Sequence, residues 1–106
     1  MDRTVEGGCP PVPVPDGALV RELPIVNRKG LHARASAKFV QTVERFDAEV
    51  TVTRCGETVG GRSIMGLLTL AAAQGTTITV TARGEDAEAC LEGIARLLAD
   101  RFGEDE

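Results

Sequence analysis

The stretch Asp-Ala-Glu-Val-Thr-Val-Thr-Arg, residues 47–54, decides the fold class because its side chains alternate between apolar and polar. Its alanine and two valines fall on one face of an extended chain, and its threonines fall on the other. A period of two predicts a β-strand that is buried on one face only. Residues 76–82, Thr-Thr-Ile-Thr-Val-Thr-Ala, repeat the alternation. The two stretches therefore predict a sheet with an apolar face that needs a cover and a threonine-rich face toward solvent.

Two further strands are predicted on either side of these two stretches. Residues 18–26 are rich in β-forming residues, and Pro24 marks an edge or a bulge because proline cannot donate a hydrogen bond to a neighbouring strand. Residues 57–61 follow a Cys-Gly turn at 55–56 and predict a short return strand. The sheet is thus expected to have four strands.

Three helices are predicted between and after the strands. Residues 32–45 and 85–102 carry apolar residues at helical spacing, and Phe102 completes the apolar stripe of the second. A shorter helix begins at Ser63, whose side chain is suited to an N-cap, and ends before Gly75 as its C′ residue. The predicted element order is therefore βαββαβα.

This order is satisfied by an α+β fold in which three helices cover one face of a four-stranded, largely antiparallel sheet. A ferredoxin-like arrangement is the near alternative, because it contains the order βαββαβ. The predicted domain is formed by residues 18–103. Residues 1–17 hold four of the five prolines and predict a flexible tail, and residues 104–106 form a short acidic end.

The composition excludes several classes of function. The chain has 106 residues, a net charge of −4 and three aromatic residues, which argues against a nucleic-acid binder. It has one histidine and three cysteines without CxxC spacing, so it predicts reduced thiols, no metal site and no cofactor. Neither a membrane span nor a secretory signal is recognisable, and a cytoplasmic location is the expectation.

His32 is the candidate for chemistry. It stands where a helix is predicted to begin, and a helix N-terminus binds phosphate through its free N–H groups and favours a neutral imidazole that keeps a lone pair for attack. Arg34 offers a planar fork for phosphate oxygens, and Arg28 and Lys29 add positive charge. A single histidine at a helix start is also commonly a plain surface residue, and the spacing alone leaves both interpretations open.

Two motifs resemble those of the HPr family, the histidine phosphocarriers of the bacterial phosphotransferase system. Gly-Leu-His-Ala-Arg at 30–34 is similar to the family's active-site motif, and Arg-Ser-Ile-Met-Gly-Leu-Leu-Thr-Leu-Ala at 62–71 is similar to its regulatory-serine region. The resemblance covers residues 19–102 and implies the HPr-like open-faced β-sandwich. The family commonly has a proline directly after the arginine of the first motif, where this chain has Ala35-Ser36. This variant is similar to HPr forms from α-proteobacteria, where the relay often serves regulation, including a nitrogen-related branch.

The resemblance implies a phosphoryl relay. His32 would accept a phosphoryl group on Nδ1 from enzyme I, which draws it from phosphoenolpyruvate, and would pass it to IIA-type proteins. Arg34 matches the arginine that stabilises the phosphate. The protein would be a stoichiometric carrier and not an enzyme, and a monomer is expected because one face must meet successive partners. The expected partner-docking surface comprises Leu31, Lys38, Arg62, Ile64, Met65 and Leu68.

Ser63 has two compatible roles in this reading. It is an N-cap by position, and the resemblance implies that HPr kinase/phosphorylase phosphorylates it. A phosphate would add about −2 charge beside the docking surface and suppress transfer at His32. The alternative function is a regulatory protein-binding module that acts through the phosphorylation state of Ser63, and a third is a ferredoxin-like small-ligand or RNA-binding domain.

Overall fold

The computed structural model describes residues 9–12 and 14–106. Within them the alternating stretches form strands, the stretches of helical spacing form helices, and the predicted α+β order is confirmed. The elements are β1 (Leu19–Pro24), α1 (Ala33–Val43), β2 (Glu49–Arg54), β3 (Glu57–Gly60), α2 (Ile64–Thr69), β4 (Thr77–Arg83) and α3 (Ala87–Ala99), followed by a 3₁₀ turn at Arg101–Gly103.

The sheet has the strand order β1-β4-β2-β3, and each neighbouring pair is antiparallel. The last strand in sequence therefore lies between β1 and β2, with Val52 opposite Val80. Pro24 pairs with Thr77 at the end of β1. Because β1 is an edge strand, the missing N–H of Pro24 can face outward, and the predicted edge position is confirmed.

The core lies between the sheet and the helices. The inward residues of β2 and β4 are at most 5% exposed, as the period of two requires: Val50, Val52, Ile78, Val80 and Ala82. Helix α3 packs on β1, β4 and α1, and α2 packs on α1. Phe39 of α1 and Ile94 of α3 are fully buried. Each such side chain stabilises the fold by about 1.5–3 kcal/mol relative to an exposed position.

The opposite face of the sheet differs from the prediction. Thr53 and Thr81 are only 4% exposed, so the expectation that they face solvent is wrong. The cause is mutual cover: the hydroxyl of Thr53 pairs with that of Thr58 at 2.8 Å, and the hydroxyl of Thr81 pairs with that of Thr51. Residues 9–12 also lie beside this face, in the same cleft as Thr53.

The cysteines are not all free. Cys9 and Cys55 form a disulfide, so the prediction of three reduced thiols is wrong for this pair, and only Cys90 is a free, buried thiol. Cys55 lies in the turn between β2 and β3, and residue 9 is thereby fastened to the sheet instead of belonging to a loose tail. Residues 1–8 and 13 of the predicted tail lie outside the described residues.

Two predicted helix ends are wrong. Helix α2 ends at Thr69 because Ala71 turns into the left-handed region, with φ of 52°, so Gly75 is not its C′ residue. Gly75 instead donates its N–H to the carbonyl of Ile25 at 2.9 Å in the turn before β4. Helix α3 ends at Ala99, and Phe102 lies beyond it with φ of 55° while remaining buried. Among the described residues, no helix has the length and apolar character needed to span a bilayer.

Candidate functional site

The loop before α1 is held in place by its backbone. Gly30 has φ of +69°, and a Cβ there would lie 2.6 Å from the carbonyl oxygen of Ala72. Leu31 donates its N–H to the same oxygen at 2.9 Å, and the Asn27 side chain donates to the Gly30 carbonyl at 2.8 Å. Because only glycine allows this approach, the sequence at this point fixes how the chain enters α1.

His32 is the N-cap residue of α1. Its backbone is extended, and its carbonyl accepts the first helical hydrogen bond, from Ser36 at 2.8 Å. Its side chain makes no capping hydrogen bond, and the first turn of α1 carries no acidic residue. The first N–H groups of a helix have no partner within the helix, so they are free to bind an anion beside the ring.

His32 lies in an open cleft of about 580 Å³ that is lined by Arg28, Lys29 and Arg34 and by the acidic C-terminal segment, whose Glu106 pairs with Arg28 at 2.7 Å. Arg34 is exposed, and its guanidinium makes no hydrogen bond or ion pair to the part of the chain that the structure describes. Its donors are therefore available to oxygens of a phosphate bound at the ring. The structure thus brings together the histidine and the arginine that the sequence singled out.

Glu104 is the residue at this site that sequence reasoning missed. Its Oε2 lies 2.5 Å from Nε2 of His32, and its Oε1 accepts a hydrogen bond from the Asn27 amide at 3.0 Å. Burial alone would raise the pKa of the Glu104 carboxyl, but hydrogen bonds from Asn27 and His32 hold that pKa below its ordinary value. The carboxylate is therefore ionised and pairs with the ring at neutral pH.

The contact at Nε2 decides which nitrogen of the His32 ring carries the proton and which carries the lone pair. An ionised carboxylate can only accept a hydrogen bond, so Nε2 carries the proton. A neutral imidazole protonated at Nε2 has its lone pair on Nδ1. The arrangement leaves Nδ1 without a proton, beside the N-terminus of α1 and a guanidinium that no described residue binds.

The Ser63 region lies on the neighbouring helix. The Ser63 Oγ accepts the N–H of Gly66 at 2.9 Å, which confirms the predicted N-cap of α2. The next two residues are exposed, and Met65 at 71% is the most exposed large apolar side chain in the described part of the chain. Because α2 packs on α1, an apolar surface formed by Ile64 and Met65 belongs to the helical side of the molecule that also carries the histidine.

The other predicted docking residues fare differently. Leu31 is 4% exposed and packs in the core, so the prediction that it contributes to a docking surface is wrong. Its N–H donates to the carbonyl of Ala72, and in this backbone orientation the side chain points into the core. Lys38 donates to the carbonyl of Phe102 at 2.6 Å, and Arg62 donates to the carbonyls of Phe46 and Ala48. Leu68 is half-buried. Docking by these last three residues stays a prediction.

Comparison with known proteins identifies the family of the chain. A family profile described as "PTS HPr component phosphorylation site" matches residues 19–100. The chain is 45% identical over 87 residues to the phosphocarrier protein HPr of Xylella fastidiosa, covering 82% of this chain and 98% of the relative. It is 40% identical over 86 residues to the phosphocarrier protein NPr of Shewanella violacea, covering 81% and 94%.

The structure is also similar to a solved one. The crystal structure of HPr-C-His from Thermoanaerobacter tengcongensis superposes with a TM-score of 0.79 and 34% sequence identity, covering 83% of this chain and 99% of that chain. The similarity supports the open-faced sandwich over the ferredoxin-like alternative.

Proposed function

The chain belongs to the HPr family and is a phosphocarrier of the phosphotransferase system, and we propose that His32 carries the phosphoryl group on Nδ1. The observation that supports this assignment is the contact between Nε2 and Glu104, which leaves the Nδ1 lone pair free. Protein partners of the family, such as enzyme I and IIA-type proteins, supply and remove the group.

The proposed transfer is a single displacement at phosphorus. The Nδ1 lone pair forms a bond to phosphorus while the bond between phosphorus and the leaving atom of phosphorylated enzyme I breaks. Arg34 and the first N–H groups of α1 bind the phosphoryl oxygens, whose charge must be offset near the ring. Transfer to a IIA-type protein is the same displacement in the other direction, with Nδ1 as the leaving atom.

The surroundings of His32 suit a transient interface. Lys29 and Arg34 give a basic rim, which we propose meets acidic groups on each partner, whereas Arg28 is held by Glu106. Ile64 and Met65 are proposed as the apolar centre, since they are 39% and 71% exposed. A cytoplasmic location and a monomeric state remain predictions.

Mass spectrometry of the intact protein tests the phosphoryl acceptor. After incubation with phosphoenolpyruvate and enzyme I, the wild type is expected to gain one phosphoryl group that is lost in acid, as a phosphoramidate is. His32→Ala is expected to gain none. A gain that is retained in His32→Ala would place the phosphoryl group on another residue and overturn the assignment.

A second proposal concerns regulation through Ser63. Its hydroxyl is exposed, and it precedes the apolar pair Ile64 and Met65 directly. Phosphorylation by HPr kinase/phosphorylase would put about −2 charge next to that pair, where it would repel an acidic partner. The α2 helix itself would keep a cap, because phosphate oxygens can accept the Gly66 N–H that the hydroxyl accepts now.

Kinase treatment with matched variants tests this second proposal. Incubation with HPr kinase/phosphorylase and ATP is expected to add one acid-stable phosphate to the wild type and to Thr69→Ala, which removes a hydroxyl from the same helix, but none to Ser63→Ala. The modified protein should then accept phosphate from enzyme I at least tenfold more slowly than unmodified protein, the effect of about 1.4 kcal/mol of repulsion. An unmodified Ser63, or modification without slower transfer, would count against regulation.

A further inference from the structure

We propose that Glu104 is a positioning residue for phosphoryl transfer, which holds His32 in the tautomer whose Nδ1 is the nucleophile. The inference rests on the proposed role of His32 and adds a third group, Asn27, behind the carboxylate. The three side chains form a chain of hydrogen bonds in which Asn27 donates to Glu104 and Nε2 of His32 donates to Glu104.

Asn27 is fixed in the orientation that this series of hydrogen bonds requires. It is fully buried, and its amide nitrogen donates both to the Gly30 carbonyl at 2.8 Å and to Glu104 at 3.0 Å. Its Oδ1 has no partner among the described residues. A buried acceptor without a partner is unfavourable. The amide nevertheless keeps its donors toward Gly30 and Glu104, because the reversed amide would set an oxygen against two acceptors.

The carboxylate is also held by the segment that bears it. Lys38 of α1 donates to the Phe102 carbonyl at 2.6 Å, just before Glu104. Arg28 donates its N–H and its guanidinium to Glu106, just after it, at 3.0 and 2.7 Å. Contacts on both sides of Glu104 therefore fasten the C-terminal segment 102–106 across the histidine loop. Without these contacts, segment 102–106 would not hold the Glu104 carboxylate at one ring nitrogen.

The electrostatic consequence favours transfer. When Nδ1 bonds to phosphorus, the ring gains positive charge while Nε2 keeps its proton. The ionised Glu104 lies 2.5 Å from that nitrogen and stabilises the charge as it develops. The carboxylate therefore acts at two stages, since it selects the tautomer before attack and stabilises the ring during attack.

Two alanine variants of adjacent residues separate positioning from net charge. Glu104→Ala and Asp105→Ala each remove one negative charge from the same segment. The Asp105 side chain is exposed and makes no hydrogen bond or ion pair to the described residues, so Asp105→Ala controls for charge alone. Glu104→Gln is the graded variant, because its amide oxygen can still accept from Nε2 without a charge.

The first readout is the ring of His32 before any phosphorylation. It is the one histidine in the chain, so its ¹⁵N ring signals need no further assignment. The wild type and Asp105→Ala are expected to show the tautomer protonated at Nε2 at a pH where the ring is neutral. Glu104→Ala is expected to show a mixture of both tautomers, and Glu104→Gln an intermediate one.

The second readout is the rate of transfer from phosphorylated enzyme I. Loss of a charge-assisted hydrogen bond predicts a rate roughly 10- to 100-fold lower for Glu104→Ala. Asp105→Ala should change it less than about twofold, as is usual for an exposed charge with no partner. Equal effects of the two alanine variants, or a Glu104→Ala ring that stays protonated at Nε2, would overturn the positioning role. A faster Glu104→Ala would also overturn it and would make the C-terminal segment an inhibitory cover.

The two proposals can fail separately. The tautomer measurement uses unphosphorylated protein, so it tests positioning even if His32 proves not to be the phosphoryl acceptor. If the wild type gains no phosphoryl group at His32 but the ring changes tautomer in Glu104→Ala, the contact is real and the proposed role of His32 is wrong.

Discussion

Replacing Gly30 by alanine is expected to destabilise the protein more than replacing Gly75, a turn glycine that also has a positive φ. Two costs add at this position. An L-residue in the left-handed region costs about 1–2 kcal/mol, and φ at Gly30 is +69°. The new Cβ would also lie 2.6 Å from the main-chain oxygen of Ala72. Relief of such a contact moves backbone and costs about 1–3 kcal/mol more.

Gly75 provides the matched control for the conformational cost. Its φ is +91°, but a Cβ there would meet no atom within 4 Å. Gly75→Ala should therefore cost only the conformational part, about 1–2 kcal/mol. Gly30→Ala should cost about 2–5 kcal/mol in total, and the difference between the two variants measures the contact with Ala72.

Urea denaturation followed by circular dichroism gives the free energy of unfolding of each variant. If the two free energies differ by about 1–3 kcal/mol, Gly30→Ala should have a midpoint of thermal unfolding roughly 4–24 °C below that of Gly75→Ala for a domain of this size. Phosphoryl transfer should fall in Gly30→Ala even below its unfolding temperature, since Gly30 precedes His32 by two residues. Equal free energies of unfolding for Gly30→Ala and Gly75→Ala would refute the claim that the approach to Ala72 requires glycine.

Three further predictions concern other contacts. Because the pKa of Glu104 is lowered in the folded protein, its contribution to stability is present above the unfolded pKa of about 4.3 and is lost as pH falls through the folded value. The stability difference between wild type and Glu104→Gln should thus shrink on acidification in pH-dependent urea melts, and a difference that persists at the lowest pH would contradict it. Cys9→Ser should lose about 4 kcal/mol in oxidising buffer, because the disulfide closes a loop of 46 residues, and nothing with reductant; equal losses in both buffers would refute this. Ser63→Ala should lose about 1 kcal/mol of thermal stability with its N-cap, whereas Ser63→Asp, which can still cap, should lose less; equal losses would argue against the cap.

The sequence predicts best the elements whose burial is one-sided. In β2 and β4 the alternation survives because one face packs on helices, so residues 47–54 and 76–82 identify both strands to within two residues. Helix ends are harder, since Ala71 and Phe102 enter the left-handed region without the glycine that usually marks it. The prediction for Leu31 was wrong because its place in a motif does not show whether its side chain is buried. The burial follows from the hydrogen bond between its N–H and Ala72, which lies far away in sequence.

The site could be predicted only in part. His32 and Arg34 are two residues apart, so a local motif contains both. Glu104 lies 72 residues from His32, and no periodicity or motif links an acidic chain end to a loop before the first helix. The disulfide between Cys9 and Cys55 is a similar case, because only the packing of residues 9–12 on the sheet brings the two thiols together.

The site combines a fixed part and a free part, and this division suits a carrier that serves two partners. Asn27, Gly30 and Glu104 are held by hydrogen bonds or by close backbone contact, so the orientation of the ring is set before any partner arrives. Arg34 and Met65 are exposed and can adapt to different surfaces. Orientation of the nucleophile lowers the barrier for every partner alike, whereas contacts of the free residues differ between donor and acceptor. Changes at Glu104 should therefore slow acceptance and donation together, and changes at Met65 should alter the two by different factors.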